Sequence, residues 1–354
     1  MARRVTAAHG RWLTCNSKGE SNLERVFITG VAGLIGRRLA EKLVSQGYTV
    51  TGFDLGEQVG MAKDRLDAIA AKGDFTVTEG TILDRTGVVR AMRGCSVVIH
   101  LAAMLGVKRT EDDRLRCLEI NITGSDYILN AAMLNGLKRV IIASSSEVYG
   151  EPVSNPVKET DITQGKTVYA ISKLASEELA IGYAQAFPSL SYTIVRFFNT
   201  YGEGQVAQFV LTKFVREVLE GRNPVVYGDG SQVRSYAHVD DITDGLIEII
   251  KNPKARNQIY NLGNGTEAMT LRELAQRVID ILRPNDGLEV EVLGGFQGSD
   301  RLAEREIHHR VCDSTKAFDE LGFKATVTVD EGIRRIAAQT KIQHDWPNSE
   351  PPRH

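Results

Sequence analysis

The 354 residues contain no apolar run approaching the roughly eighteen that a membrane-spanning helix needs. The N-terminal stretch MARRVTAAHGRWLTCNSKGESN likewise lacks the apolar segment of a secretion signal and reads as a flexible extension or an upstream start. Cysteine is scarce and scattered. Cys15, Cys95, Cys117 and Cys312 form no C-x-x-C pair, which suits reduced thiols in a cytoplasm and argues against a disulfide framework or a thiolate zinc site. The seven histidines include no H-x-x-x-H pair. His308 and His309 are adjacent and would face opposite sides of a strand, so no metal is expected. Neither sign of charge dominates: 43 basic and 45 acidic side chains leave a formal charge of −2 without long like-charge runs. That balance favours neither nucleic acid nor an anionic membrane as partner, and points to small-molecule chemistry.

What remains is ordinary globular material, 42% hydrophobic and 25% charged, enough for one large domain or two unequal ones sharing a cleft. From residue 25 the pattern alternates. RVFITG reads as an apolar strand, LIGRRLAEKLVSQG as an amphipathic helix ended by Gly47, and YTVTGFD as a strand closing on an acid. Later apolar runs at 95–103, 139–146 and 192–199 are separated by helical segments. This predicts an α/β protein, a Rossmann-like doubly wound parallel sheet buried on both faces. After Asn199 the rhythm breaks into glycine-rich connections, which suits a smaller C-terminal substrate-binding domain closing over the strand ends. The expected division is a flexible extension at 1–23, a dinucleotide-binding domain at 24–200 with 234–262 packing back on it, a substrate-binding domain from 201–233 and 263–342, and a flexible tail at 343–354.

Three signals carry chemistry. Gly30, Gly33 and Gly36 follow a strand and open a helix, the setting in which glycines allow a tight turn, close approach of a pyrophosphate and tight helix packing. Asp54 ends the next strand, where a carboxylate can hold both ribose hydroxyls and would repel a 2′-phosphate, favouring NAD over NADP. Arg37 and Arg38 could favour NADP, but arginines one turn into a surface helix are expected to be solvated. The third signal is Tyr169 and Lys173, four residues apart and hence on one helical face, where the ammonium is expected to lower the phenol's pKa and make an acid–base pair. The serines 144–146 and Glu147 lie where an apolar strand ends, at the edge where open α/β sheets bind ligands.

TGVAGLIG, HLAA, SSSEVYG, YAISK, RFFNTYG, VYGDGSQVRSYAHVDD and YNLGNG, in this order from about residue 25 to 340, resemble the extended short-chain dehydrogenases that act on nucleotide sugars. The resemblance implies a tightly held NAD that takes a hydride from C4 of the sugar and returns one. It implies that Tyr169 and Lys173 are the catalytic pair, that Ser145 meets the C4 oxygen, and that Leu101, Ala102 and Ala103 line the cofactor. Ala32, Leu34, Ile35, Leu55, Ile82, Asn121 and Phe198 fall at further cofactor positions, and Asn199, Arg234 and Arg310 at positions holding the nucleotide diphosphate or sugar. Ser146 and Glu147 match the Ser-Glu before VYG of the decarboxylases and several dehydratases. A carboxylate there can act at C5, which leans toward a 4,6-dehydratase or uronate decarboxylase, with a 4-epimerase as the alternative and a non-catalytic NAD-binding regulatory protein as the alternative of another class. Two departures stand out: Gly80-Thr81-Ile82, with Asp84 two residues on, replaces the usual Gly-Asp beside adenine, and the segment after YG at 201–202 lacks the usual proline. The resemblance also implies a homodimer.

Overall fold

The computed structural model describes residues 24–206, 208–297 and 305–342, so the expected extensions at 1–23 and 343–354 lie outside it. Six strands alternate with helices from the start: β1 (Arg25–Thr29), β2 (Thr49–Asp54), β3 (Phe75–Glu79), β4 (Val97–His100), β5 (Arg139–Ser145) and β6 (Ser191–Phe197). With the later strand Gln258–Leu262 they form a seven-stranded parallel sheet in the order Gln258–Leu262, β6, β5, β4, β1, β2, β3.

Burial on both faces explains the unbroken apolar runs. Along β1, Val26 and Ile28 join one core with Leu39, Leu43 and Val50, while Phe27 joins the other with Val98, Ile128 and Ile142, as the period of two requires. A third core, around Tyr201, Phe214, Val218, Leu274, Val278 and Ile333, belongs to the chain beyond the sheet's sixth strand.

Chain order reverses between β1 and β4, which are paired neighbours with Thr29 opposite His100. Ligands of doubly wound sheets bind at the carboxyl ends of the strands beside such a switch point. Thr29, Asp54, His100 and Ser145 all end strands on that edge. Helix α1 (Leu34–Ser45) starts just beyond β1 with Gly33 as an N-cap that carries no side-chain cap. Its first N–H groups are therefore left for an outside acceptor.

Candidate active site

The glycine turn is a cradle in which added carbon would not fit. Gly30 has φ +72°, a left-handed value costly for other residues, and a Cβ there would come within 2.8 Å of the Ala102 backbone nitrogen. A Cβ on Gly36 would collide with the Gly30 carbonyl oxygen. Oδ2 of Asp54 accepts from Ala32 N at 2.9 Å and Oδ1 from Leu55 N at 2.9 Å. Each oxygen keeps a second lone pair for a ribose hydroxyl. Burial raises the Asp54 pKa against those two donors. A tight glycine turn, an uncapped helix start and a half-satisfied carboxylate fit a dinucleotide: Gly30, Gly33 and Gly36 beside its pyrophosphate and Asp54 on its ribose.

Ile82 is buried against Gly124, and Leu34, Ile35, Leu101, Ala102 and Ala103 are half-buried around the sheet edge, with Leu55 half exposed. Asp84 is a helix cap, accepting from Gly87 N at 3.0 Å, and Gly80 is packed under the Phe53 ring, where a Cβ would meet Cζ at 2.6 Å.

The expectation of solvated arginines is corrected. Arg37 reaches back along α1 and donates to the carbonyls of Ala32 at 3.2 Å, Glu203 at 3.2 Å and Gly204 at 2.6 Å. Arg38 is paired with Asp240 and Glu41. Loops and helices far along the chain fold over this face of α1, and local sequence carries no sign of that.

The long helix Val168–Ala186 begins at Thr167, whose Oγ1 accepts from Ala170 N. It carries Tyr169 and Lys173 on one face, with Lys173 Nζ 5.8 Å from the Tyr169 ring centre. Lys173 is 5% exposed and donates to the Ala143 carbonyl of β5 at 2.9 Å. Burial lowers its pKa to about 8.

Tyr169 differs from expectation: its pKa is raised, first by burial and then by the Glu147 carboxylate, with the Ser145 hydroxyl bond opposing. Burial penalises the phenolate, and the Glu147 charge adds to that penalty. Ser145 is therefore within hydrogen-bonding reach of the Tyr169 phenol, and it also accepts from Glu147 N at 3.2 Å. Glu147 accepts from Thr167 Oγ1 at 3.2 Å, which fixes it at the head of the helix that carries Tyr169.

Ser144 and Ser146 are buried beneath this surface. Ser144 bonds to Glu177, whose carboxylate grips Arg196 at 2.9 and 2.7 Å. Arg196 donates to Tyr149 Oη at 2.9 Å, and Tyr149 donates to Asn261 at 2.7 Å. This buried chain holds the Ser144–Tyr149 segment from behind, beside the buried Phe198.

Asn121 exchanges bonds with the Met104 backbone at 2.7 and 3.0 Å and donates to Ser172 at 2.9 Å, one residue from Lys173. It thus ties the Met104 backbone to the helix that carries Tyr169 and Lys173. Two residues were missed from sequence: Thr29 and His100 share a 2.7 Å bond, and His100 continues to Ser125 at 3.1 Å. Both end strands at the switch point, a signal that could have found them.

Arg234 and Arg310 are both buried and stand opposite one another on the paired strands Val233–Ser235 and His309–Arg310. Arg234 is engaged by Glu306 at 2.8 Å and by carbonyls of residues 233, 307 and 308. Any diphosphate there would meet a guanidinium already offset by a carboxylate. The Arg310 strand is tied to the loop after Glu147: Glu151 accepts from His308 N and His309 N at 2.7 and 3.1 Å, and Val157 N donates to the Val311 carbonyl at 2.7 Å. Asn199 is half-buried, its carbonyl accepting from Ala237 N at 3.1 Å.

Known proteins resemble this chain in sequence and in fold. Residues 26–263 match the profile of the NAD dependent epimerase/dehydratase family. A UDP-N-acetyl-alpha-D-glucosaminuronate decarboxylase of Bacillus cytotoxicus is 34% identical over 320 residues, covering 88% of this chain and 96% of that protein. A UDP-glucose 4-epimerase of Thermotoga maritima, solved with UDP-glucose, superimposes with a TM-score of 0.79 at 26% identity, covering 90% of this chain and 99% of its own. A dTDP-glucose 4,6-dehydratase of Streptomyces venezuelae, solved with NAD bound, gives 0.80 at 27% identity over 90% of this chain and 97% of its own.

Proposed function

The chain belongs to the NAD-dependent epimerase/dehydratase family, and we propose that it oxidises a nucleotide-linked uronate at C4 and then releases the C5 carboxylate as carbon dioxide. It is an enzyme, and its cofactor is NAD. When bound beside Gly30, Gly33, Gly36 and Asp54, NAD would supply reversible hydride chemistry at C4.

The protein's own groups handle protons and positioning. Tyr169 takes the C4 hydroxyl proton, Ser145 hydrogen-bonds the C4 oxygen and the phenol together, and the Lys173 ammonium favours the phenolate. Oxidation at C4 places a ketone β to the C5 carboxylate, so the C–C bond can break with its electrons drawn toward the C4 oxygen. That step needs no acid for a leaving hydroxide. In this reading Glu147, held by Thr167 Oγ1 at 3.2 Å, delivers a proton to C5 once carbon dioxide has left.

The observation that carries this reading is Glu147, beside the phenol and held by the head of its helix. The Bacillus cytotoxicus relative's named activity supports it. Arg310, on the strand tied to the loop after Glu147, supplies the cation for the carboxylate or the diphosphate. The third core, around Phe214 and Val278, carries the substrate-binding side. The same proposal covers a homodimer, for which Leu134 and Ile171, 57% and 50% exposed on neighbouring helices, offer apolar surface.

The test is mass spectrometry of UDP-glucuronate and UDP-N-acetylglucosaminuronate after incubation with the NAD-loaded enzyme. Loss of about 44 daltons, the mass of carbon dioxide, is expected. Glu147→Gln should keep NAD and bind the nucleotide sugar while the mass loss slows by about a hundredfold or more. Unchanged mass with inverted C4 would make the enzyme an epimerase, and loss of water would make it a dehydratase.

A further inference from the structure

Arg37 joins two parts of the chain that the catalytic reading leaves unconnected. It sits one turn inside α1, and its guanidinium turns back to the Ala32 carbonyl within the glycine turn. The other side of the same fork holds the carbonyls of Glu203 and Gly204 at 3.2 and 2.6 Å. These two residues belong to the loop that leaves the sheet after Asn199 and leads into the third core.

The loop is shaped for this grip. Gly204 has φ +78°, and a Cβ there would strike the terminal nitrogens of both Arg37 and Arg65. Only glycine lets two guanidinium groups close on the backbone at this point. Desolvation, and then the neighbouring Arg65 charge, lower the Arg37 pKa to about 10. Placing a cation here is therefore costly, and the hydrogen bonds to three carbonyls offset the cost. On the loop's far side, Glu203 bonds to His238 at 2.9 Å, anchoring the same segment a second time.

We propose that Arg37 is a positioning residue that fastens the 202–205 loop to the dinucleotide turn and thereby sets how long NAD stays bound between turnovers. This rests on the reading of the glycine turn as the NAD cradle. A redox-neutral cycle returns hydride to the sugar it came from, so the cofactor has to outstay each substrate. A latch from the cradle's own helix to the loop beyond the sheet meets that need without touching either ligand.

The experiment loads wild type, Arg37→Met, Arg37→Lys and Gly204→Ala with NAD, adds excess isotopically labelled NAD, and follows exchange by mass spectrometry of the released dinucleotide. Thermal unfolding of the NAD-free proteins is measured in parallel. Arg37→Met should exchange NAD about tenfold faster or more, equivalent to about 1.4 kcal/mol, with its NAD-free midpoint close to wild type. Arg37→Lys should recover part of the retention. Gly204→Ala, which displaces the guanidinium while keeping Arg37, should match Arg37→Met and serves if that variant does not fold. Equal exchange in wild type and Gly204→Ala, or faster exchange only in step with a lowered NAD-free midpoint, would overturn the role of Arg37. A wild type that holds no NAD would instead overturn the cradle on which the proposal rests.

Discussion

Lys173 on the helix Val168–Ala186 donates a 2.9 Å hydrogen bond to the carbonyl of Ala143, two residues before Ser145 on β5. One bond thus sets the spacing between the two segments that supply the phenol and the hydroxyl. The ammonium is nearly inaccessible to water, and the bond to one carbonyl does not replace the hydration it loses.

A pH dependence follows. Burial lowers the Lys173 pKa to about 8, below the 10.5 of a free side chain, so between these values the unfolded chain binds more protons than the folded one. Stability then rises with pH, and the cost of the buried charge, fully present below pH 8, fades toward pH 10.5. The stability of wild type minus that of Lys173→Met, both NAD-free, should climb by about 1.4 kcal/mol per pH unit across this window. Denaturant unfolding at pH 7, 8, 9 and 10 measures it, and a flat difference would contradict the assignment. Turnover in Lys173→Met should be lost at every pH.

The buried pair Arg196–Glu177 lies behind the serines. Burial works against the Arg196 charge, yet the hydrogen bonds and charge of Glu177 hold its pKa above the ordinary value. Glu177→Gln leaves that guanidinium uncompensated, and breaking such a pair costs about 3–5 kcal/mol. Because Ser144 bonds to the same carboxylate, the variant should also lose kcat with little change in NAD affinity. Replacing both partners, Glu177→Leu with Arg196→Met, should recover much of the stability and little of the rate. Unfolding curves and kinetics on the four proteins of the cycle separate the two effects.

Local pattern was enough for the sheet and the glycine turn. Strand runs such as VFIT and VVIH are apolar on both faces because helices cover both faces, and Gly30 is a glycine because its φ and the nearby Ala102 backbone allow nothing else. The Tyr169–Lys173 pair was readable because i, i+4 spacing is a property of the helix alone. What escaped was everything set by distant neighbours. Arg37 looks like a surface arginine until Gly204, 167 positions away, folds onto it. The Tyr169 pKa moves upward because of burial and the Glu147 charge, neither visible in a spacing rule. Arg234 was read from its motif at a position that holds the nucleotide diphosphate or sugar, and the pairing with Glu306, 72 residues off, was not visible there.

His100 provides a test of how the switch point is held. It is buried, with Thr29 on one ring nitrogen and Ser125 on the other. Ser125 gives its own proton to the Asn121 carbonyl at 2.6 Å, and Thr29 Oγ1 accepts from Ala102 N at 3.2 Å. The network is therefore satisfied when Nε2 carries the single ring proton and Nδ1 accepts from the threonine hydroxyl. A second proton would turn the Thr29 hydroxyl away from the ring. Burial, with the Lys173 charge adding to it, lowers the His100 pKa to about 3, from an ordinary 6.5. Its contribution to stability is complete above pH 6.5 and is lost as pH falls toward 3, because the unfolded chain takes up the proton first. Wild type should thus lose about 1.4 kcal/mol per pH unit more than His100→Gln between pH 6 and 4. His100→Gln should be less stable at pH 7, since its amide cannot bridge Thr29 and Ser125 as the ring does. Parallel slopes for the two proteins in urea unfolding would show that the ring is protonated in the native state, and the neutral bridge from β1 to Asn121 would fall with it.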